Sequence, residues 1–124
     1  MTTRYLFLAA LGLAAVGLTT SVTAAPRFEF TEPAVMTKRT GTGSRSTLVQ
    51  GADGALYGTA QFGGPHGKGT IYRHVPGGAL TAVHGFSGAD GADPMGSLVT
   101  LPDGSLWGTA GTGGAYGHGT VFRF

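Results

Sequence analysis

The feature that most constrains this chain is an internal repeat of 50 residues. Residues 48–73 align with residues 98–123 without a gap, and 14 of the 26 positions are identical. The identical positions include Leu48/Leu98, Val49/Val99, Asp53/Asp103, Gly58/Gly108, Gly69/Gly119, Thr70/Thr120 and Arg73/Arg123. Self-similarity at such a period is typical of repeat architectures, in which neighbouring units pack on one another. The sequence therefore predicts two equivalent structural units.

Each unit is predicted to consist of short strands separated by turn residues. In the first copy the strands are expected at 47–50, 56–60, 70–75 and 80–86. The Asp53-Gly54 pair predicts a type I′ hairpin turn, which requires positive φ at both residues. After Ala25, glycine and proline interrupt every candidate helix. The sequence therefore predicts an all-β chain.

Four short strands in 50 residues match one blade of a β-propeller. Adjacent apolar residues such as Leu48-Val49 predict strands that are covered on both faces. Gly58 and Gly108, inside strands, predict close approach of another backbone. We therefore expect antiparallel, four-stranded, propeller-like blades. About two of them would form an incomplete ring, because propellers take roughly four to eight.

The predicted organisation is a signal peptide at 1–24, an N-terminal arm at 25–46, repeat 1 at 47–96 and an incomplete repeat 2 at 97–124. Repeat 2 has no counterpart of the fourth strand. Residues Ala34–Met36 are a candidate for that closing strand. The alternative is an ordinary arm, because residues 40–44 have the composition of a flexible linker. Repeat 2 ends abruptly, which slightly favours a fragment of a longer repeat protein over a complete subunit of an oligomeric ring.

The first 24 residues have the features of a secretory signal peptide. Arg4 supplies the positive charge, an apolar run follows at 6–18, and small residues precede a cleavage site after Ala24. The run is shorter than the roughly 20 residues that span a bilayer, so we expect no transmembrane segment in the mature chain. The predicted location is the periplasm, the exterior or the cell surface.

The charge and the motif content exclude several classes of function. The net charge is only +2, so no basic stripe is available for nucleic acid. The chain has no cysteine and no Gly-x-Ser-x-Gly elbow, so neither nucleophile motif is present. The loops at 63–69 and 113–119 enter strands, whereas phosphate-binding loops enter helices. We therefore expect no catalytic residues, no cofactor and no enzymatic activity.

Metal binding is also not expected. The histidines are His66, His74, His84 and His118, and no pair has a recognisable ligand spacing. Asp90, Asp93 and Asp103 could surround Ca²⁺, but turn formation explains two of them sufficiently.

The aromatic residues of the repeat and of its loop are the best binding candidates. Tyr57, Trp107 and Tyr116 could stack on sugar rings, as aromatic side chains do in repeat lectins. The favoured alternative is that Tyr57 and Trp107 pack between blades.

The repeat resembles the GloVer repeat, which occurs in tandem in exported bacterial proteins. The resemblance lies in residues 53–59 (Asp-Gly-Ala-Leu-Tyr-Gly-Thr), residues 63–72 (two glycines leading to Gly-Thr-Ile-Tyr) and the linking stretch at 80–94. It covers roughly residues 47–124. The resemblance implies a repeat β-protein of the propeller type and carries over no defined activity.

Three functions remain open. The leading hypothesis is a structural or interaction module of the envelope or exterior, whose partners are copies of itself or other envelope components. The second is a glycan-binding module assembled from several chains. The weakest is a fragment of a larger repeat protein or hydrolase.

Overall fold

The computed structural model describes residues 34–124, which contain seven short β-strands and no helix. The strands are β1 (Val49–Gln50), β2 (Leu56–Ala60), β3 (Thr70–His74), β4 (Leu80–Gly85), β5 (Val99–Thr100), β6 (Leu106–Ala110) and β7 (Thr120–Arg123). The predicted signal peptide and residues 25–33 of the predicted N-terminal arm lie outside the described residues.

The strands form two antiparallel sheets that repeat one another. One sheet has the order β1-β2-β3-β4, and the other has the order β5-β6-β7. The register is also repeated, because Tyr57 pairs with Arg73 as Trp107 pairs with Arg123. The predicted all-β class with blade-like antiparallel repeats is confirmed. Each strand of repeat 1 lies within two residues of its predicted bounds.

The turn between β1 and β2 differs from the predicted type I′ turn. Gly54 has φ 80°, whereas Asp53 is not among the residues with positive φ. The Gly54 amide donates to Gly51 O at 3.0 Å, and the Gly51 amide donates to Ala55 O at 2.9 Å. This pattern is a three-residue loop that ends in a left-handed glycine. The Asp53 carboxylate stabilises this loop by accepting a hydrogen bond from the Ala55 amide at 3.1 Å.

The strand glycines approach side chains and not another backbone, so that prediction is wrong. Gly58 lies directly across the sheet from Tyr72, and Gly108 lies across from Phe122. A Cβ at Gly108 would lie 2.5 Å from Phe122 Cζ and 2.8 Å from Leu98 Cδ2. The ring of the cross-strand residue therefore occupies the space above the glycine, where a side chain at the glycine position would otherwise stand.

The main core lies between the two sheets. It contains Tyr57 and Ile71 from repeat 1 and Leu98, Leu106 and Ala110 from repeat 2. Phe86 joins it from the connection and contacts Phe122 edge-on, with ring centroids 5.0 Å apart. One face of the first sheet thus packs on one face of the second.

Local structure before β1 repeats that before β5. The Thr70 hydroxyl donates to Thr40 O at 2.6 Å, and the Thr120 hydroxyl donates to Asp90 O at 2.9 Å. The bridge Thr42–Phe62 likewise recurs as Ala92–Thr112. The 50-residue equivalence therefore extends back at least to residue 40. Residues Ala34–Met36 adopt no strand in the structure.

Candidate functional site

The first sheet is buried on both faces along β2, whereas the second sheet is buried on only one face along β6. The exposed face of the second sheet is the candidate site. Residues in β2 are buried at almost every position, whereas β6 alternates strictly between buried and exposed. In β6 the face toward repeat 1 is buried, and the opposite face is open among the described residues. We call this opposite face the front surface and define it by Val99, Trp107, Thr109 and Val121.

Equivalent residues in repeat 1 show what such a surface looks like when it is covered. Ile71 is 1% exposed, whereas its equivalent Val121 is 71% exposed. Tyr57 is 8% exposed and Trp107 is 38% exposed. In repeat 1 this face is covered by residues of repeat 2 and by Phe86 of the connection. The front surface has the same chemistry, but no residue among 34–124 covers it.

The opposite side of repeat 1 shows the complementary difference. Leu48 is 47% exposed, whereas its equivalent Leu98 is 2% exposed because it packs on repeat 1. We call this side the back surface and define it by Met36, Ser46, Leu48 and Leu56, which are the equivalents of Phe86, Gly96, Leu98 and Leu106.

Tyr57 is anchored in the contact between the repeats. Its hydroxyl donates to Asp53 Oδ2 at 3.0 Å, and Arg73 Nε donates to the same hydroxyl at 3.2 Å. Its ring centroid lies 6.2 Å from that of Phe124. These contacts leave little of the Tyr57 ring accessible to a ligand.

The remaining two aromatic candidates lie apart from each other. Trp107 is near the beginning of β6, where its Nε1 donates to Ser105 Oγ at 3.0 Å. Tyr116 is in the loop beyond the other end of β6 and is 89% exposed. Three strand residues separate Trp107 from the end of β6, which is about 10 Å at the usual rise of a strand. The structure therefore does not bring the three predicted stacking residues together.

A carboxylate and guanidinium pair that the strand and turn patterns do not predict recurs in both repeats. Arg73 Nη2 lies 2.8 Å from Asp53 Oδ2, and Arg123 Nη2 lies 3.4 Å from Asp103 Oδ2. The hydrogen bond from Arg73 lowers the pKa of Asp53, and the hydrogen bond from the Ser105 hydroxyl lowers the pKa of Asp103. The signal was available, because both members of the pair are identical between the copies. The pairs join each turn to the third strand.

A second polar cluster lies at the connection between the sheets. His84 Nε2 is 2.8 Å from Asp90 Oδ2, and Ser87 donates both its amide and its hydroxyl to Asp90 Oδ1 at 2.8 Å. Partial burial raises the pKa of Asp90, but these hydrogen bonds outweigh it and lower the pKa to about 2. The serine is bonded to the carboxylate and not to the histidine, so this is not the nucleophile and base arrangement of a hydrolase.

The candidate calcium residues are held by separate partners. Asp93 accepts from the Thr112 hydroxyl at 2.8 Å, while Asp90 and Asp103 make the contacts described above. Among residues 34–124, no three histidine or acidic residues are grouped so that they could hold a metal ion. That part of the chain also contains no helix long and apolar enough to cross a membrane.

These observations define an all-β repeat protein whose two equivalent sheets pack on each other. The model of one family, the Gloeobacter/Verrucomicrobia repeat, matches residues 10–124. The chain belongs to this family, and the predicted GloVer resemblance is confirmed. Neither the curated proteins nor the solved structures contain a match.

Proposed function

We propose that this chain is an exported structural or interaction module of the cell envelope or exterior, with no chemistry of its own. The observation that carries the proposal is the contrast between Val121 and Ile71. Two similar side chains at equivalent positions are 71% and 1% exposed, respectively. A surface that matches a buried inter-repeat contact is suited to binding another protein surface.

The composition of the front surface supports this function. Val99, Trp107 and Val121 lie on three neighbouring strands, and each is more than a third exposed. Exposed apolar residues grouped on one face, here beside Arg123 opposite Trp107, are typical of interaction surfaces. The polar groups beside it, Ser105 and Asp103, are engaged with each other in the turn.

The export part of the proposal rests on the sequence of the first 24 residues. Production of the tagged chain in a bacterial host should yield a processed protein whose N-terminus is Ala25, recovered from the exported fraction. Replacement of Leu13 by Arg interrupts the apolar run at 6–18 and should leave the unprocessed precursor inside the cell. Recovery of the wild-type precursor in the cytoplasm would overturn this part.

The interaction part can be tested by retention of the processed chain in the envelope fraction. Val121→Asp places a charge on the front surface and should release the chain into the soluble exported fraction. Tyr116→Asp is the matched control, because Tyr116 is 89% exposed and lies outside the front surface. Equal retention of both variants and the wild type would exclude the front surface as the binding surface.

Glycan binding is a second candidate, supported by the exposed ring of Tyr116. This ring stands in a glycine-rich loop between β6 and β7 and is available for stacking on a sugar. A glycan array should then show signal for the wild type that is lost in Tyr116→Ala, while Trp107→Ala, whose ring lies toward the other end of β6, is the control. Signal that persists in Tyr116→Ala would remove this loop from the glycan site.

A further inference from the structure

We infer that the front surface of one chain binds the back surface of a second copy, so that copies associate head to tail. This inference rests on the proposed function and names the partner. The contact between the two repeats within one chain is the template for this association. In that contact, the residues of repeat 1 that are equivalent to the front surface pack on the residues that are equivalent to the back surface. Each chain presents one free surface of each type among its described residues.

Most apolar residues of the template have close counterparts on the free surfaces; Val83 of β4 has none, because the second sheet has three strands. On the front side, Val49, Tyr57 and Ile71 correspond to Val99, Trp107 and Val121. On the back side, the equivalents of Phe86, Leu98 and Leu106 are Met36, Leu48 and Leu56. Each replacement is apolar and of related size, and such changes are tolerated in packed contacts. A second copy can therefore bury Leu48 against Trp107 and Val121 as Leu98 is buried in the core of a single chain.

The hydrogen bonds of the template can also be repeated. The Thr59 hydroxyl donates to Gly96 O at 3.0 Å, and the Thr47 amide donates to the Ser97 hydroxyl at 2.9 Å. In a second copy the corresponding pairs are the Thr109 hydroxyl with Ser46 O, and the Ser97 amide with the Thr47 hydroxyl. Both donors and both acceptors exist on the free surfaces. These bonds fix the register of the contact, while the apolar residues supply most of the affinity.

One template bond is not reproduced. Within the chain, the Thr100 hydroxyl donates to Gln50 O at 3.0 Å. Between copies, the position equivalent to Thr100 is Gln50 of the second copy, which has no hydroxyl. The Gln50 side chain instead donates to Gly54 O of its own turn. The contact between copies is thus built like the internal one but is weaker near β1, which suits association between separate chains.

A contact of this type is heterologous, since different surfaces of the two copies meet. Heterologous contacts produce closed rings when the rotation closes and open filaments when it does not. This property separates the proposal from a symmetric dimer in which two front surfaces meet. It also means that blocking either surface on every chain prevents association.

The test uses protein purified after export and two surface variants. Light scattering coupled to size-exclusion chromatography should give a mass of more than one chain for the wild type. Val121→Asp, which blocks the front surface, and Leu48→Asp, which blocks the back surface, should each be monomeric. An equimolar mixture of the two variants should form a one-to-one dimer, because each supplies the surface that the other lacks. Tyr116→Asp should assemble as the wild type does.

The alternative outcomes are distinguishable. If Leu48→Asp still dimerises while Val121→Asp is monomeric, the front surfaces meet each other and the head-to-tail arrangement is wrong. If the wild type is monomeric at every protein concentration measured and the mixture of variants does not associate, the partner is not a second copy. The proposed envelope function could then still be seen in fractionation, which does not depend on self-association. Unchanged circular dichroism and thermal midpoints in both variants would show that loss of association is not loss of folding.

Discussion

At the scale of single residues, each repeat is organised around a glycine that faces an aromatic ring. Tyr72 covers Gly58, and its hydroxyl lies 2.7 Å from the Ser44 hydroxyl. In repeat 2, Phe122 covers Gly108, and Pro94 occupies the place of Ser44. The polar pair of one copy is thus replaced by an apolar pair in the other. Both copies therefore keep an aromatic ring over the glycine, but only repeat 1 has hydroxyl groups at the edge of that ring.

The close fit at Gly108 predicts a cost for a single methyl group. Gly108→Ala should lower the free energy of unfolding by about 1–3 kcal/mol, as overpacking of a filled core does. Urea denaturation measures this change. Gly111→Ala is the matched control, because its Cβ would lie 3.4 Å from Asp93 O, an ordinary contact. Equal destabilisation by the two substitutions would show that the Phe122 ring is not the cause.

The Asp90 cluster predicts a pH-dependent contribution to stability. The folded-state pKa is lowered from 3.8 to about 2, so the ionised carboxylate stabilises the fold above its unfolded pKa. That stabilisation is lost as the pH falls from about 4 toward 2. Asp90→Asn should therefore be less stable than the wild type at neutral pH, and the difference in thermal midpoint should shrink across this window. A difference that stays constant down to pH 2 would contradict the assignment.

At the scale of elements, the hairpin turn is the part that the sequence described least well. The Asp-Gly pair alone predicts the two central positions of a two-residue turn. The second copy contains the correcting signal, because Pro102 precedes Asp103. Proline favours the second position of a type I turn, and this moves the left-handed position onto Gly104, which has φ 84°.

The left-handed glycine of this turn has a conformational role that can be isolated. A Cβ at Gly54 would meet nothing within 4 Å, so a substitution there costs backbone strain and no packing. Gly54→Ala should destabilise the protein by about 1–2 kcal/mol, whereas Gly54→Asn should cost clearly less, since asparagine tolerates this conformation. Thermal unfolding of the pair checks this. If both variants lost the same stability, the loop would not require positive φ at residue 54.

The strands were predictable because their bounds depend on local residues. Turn residues such as Asp53-Gly54 end them, and β-branched and aromatic residues fill them. The burial of the strands was not predictable in the same way. Ile71 and Val121 are almost the same residue in the same local sequence, yet one is in the core and the other is on the surface. The difference arises because the neighbouring sheet covers Ile71 and not Val121. The local sequence around either residue does not show whether a sheet will pack on it.

At the scale of the whole molecule, the two sheets have unequal edges. In the first sheet β3 is paired with both β2 and β4, whereas β7 is paired only with β6 among residues 34–124. An unpaired strand edge is able to accept a further strand from another chain. Edge pairing and stacking of the front surface on a back surface are two different ways of associating. They bury different groups, the first the backbone of β7 and the second the side chains of Trp107 and Val121.

Amide hydrogen exchange separates these two modes. If copies associate through the front surface alone, the outward amides of β7 stay open to water, and residues 119–124 should exchange faster than residues 69–74. This difference should be present in the assembled wild type and in the monomeric Val121→Asp variant. Protection of β7 equal to that of β3 in the wild type, lost in the variant, would mean that a strand of another chain fills the edge. The proposal that the front surface stacks on a back surface would then be wrong, and a strand of one chain would pair with β7 of the next to form a continuous sheet.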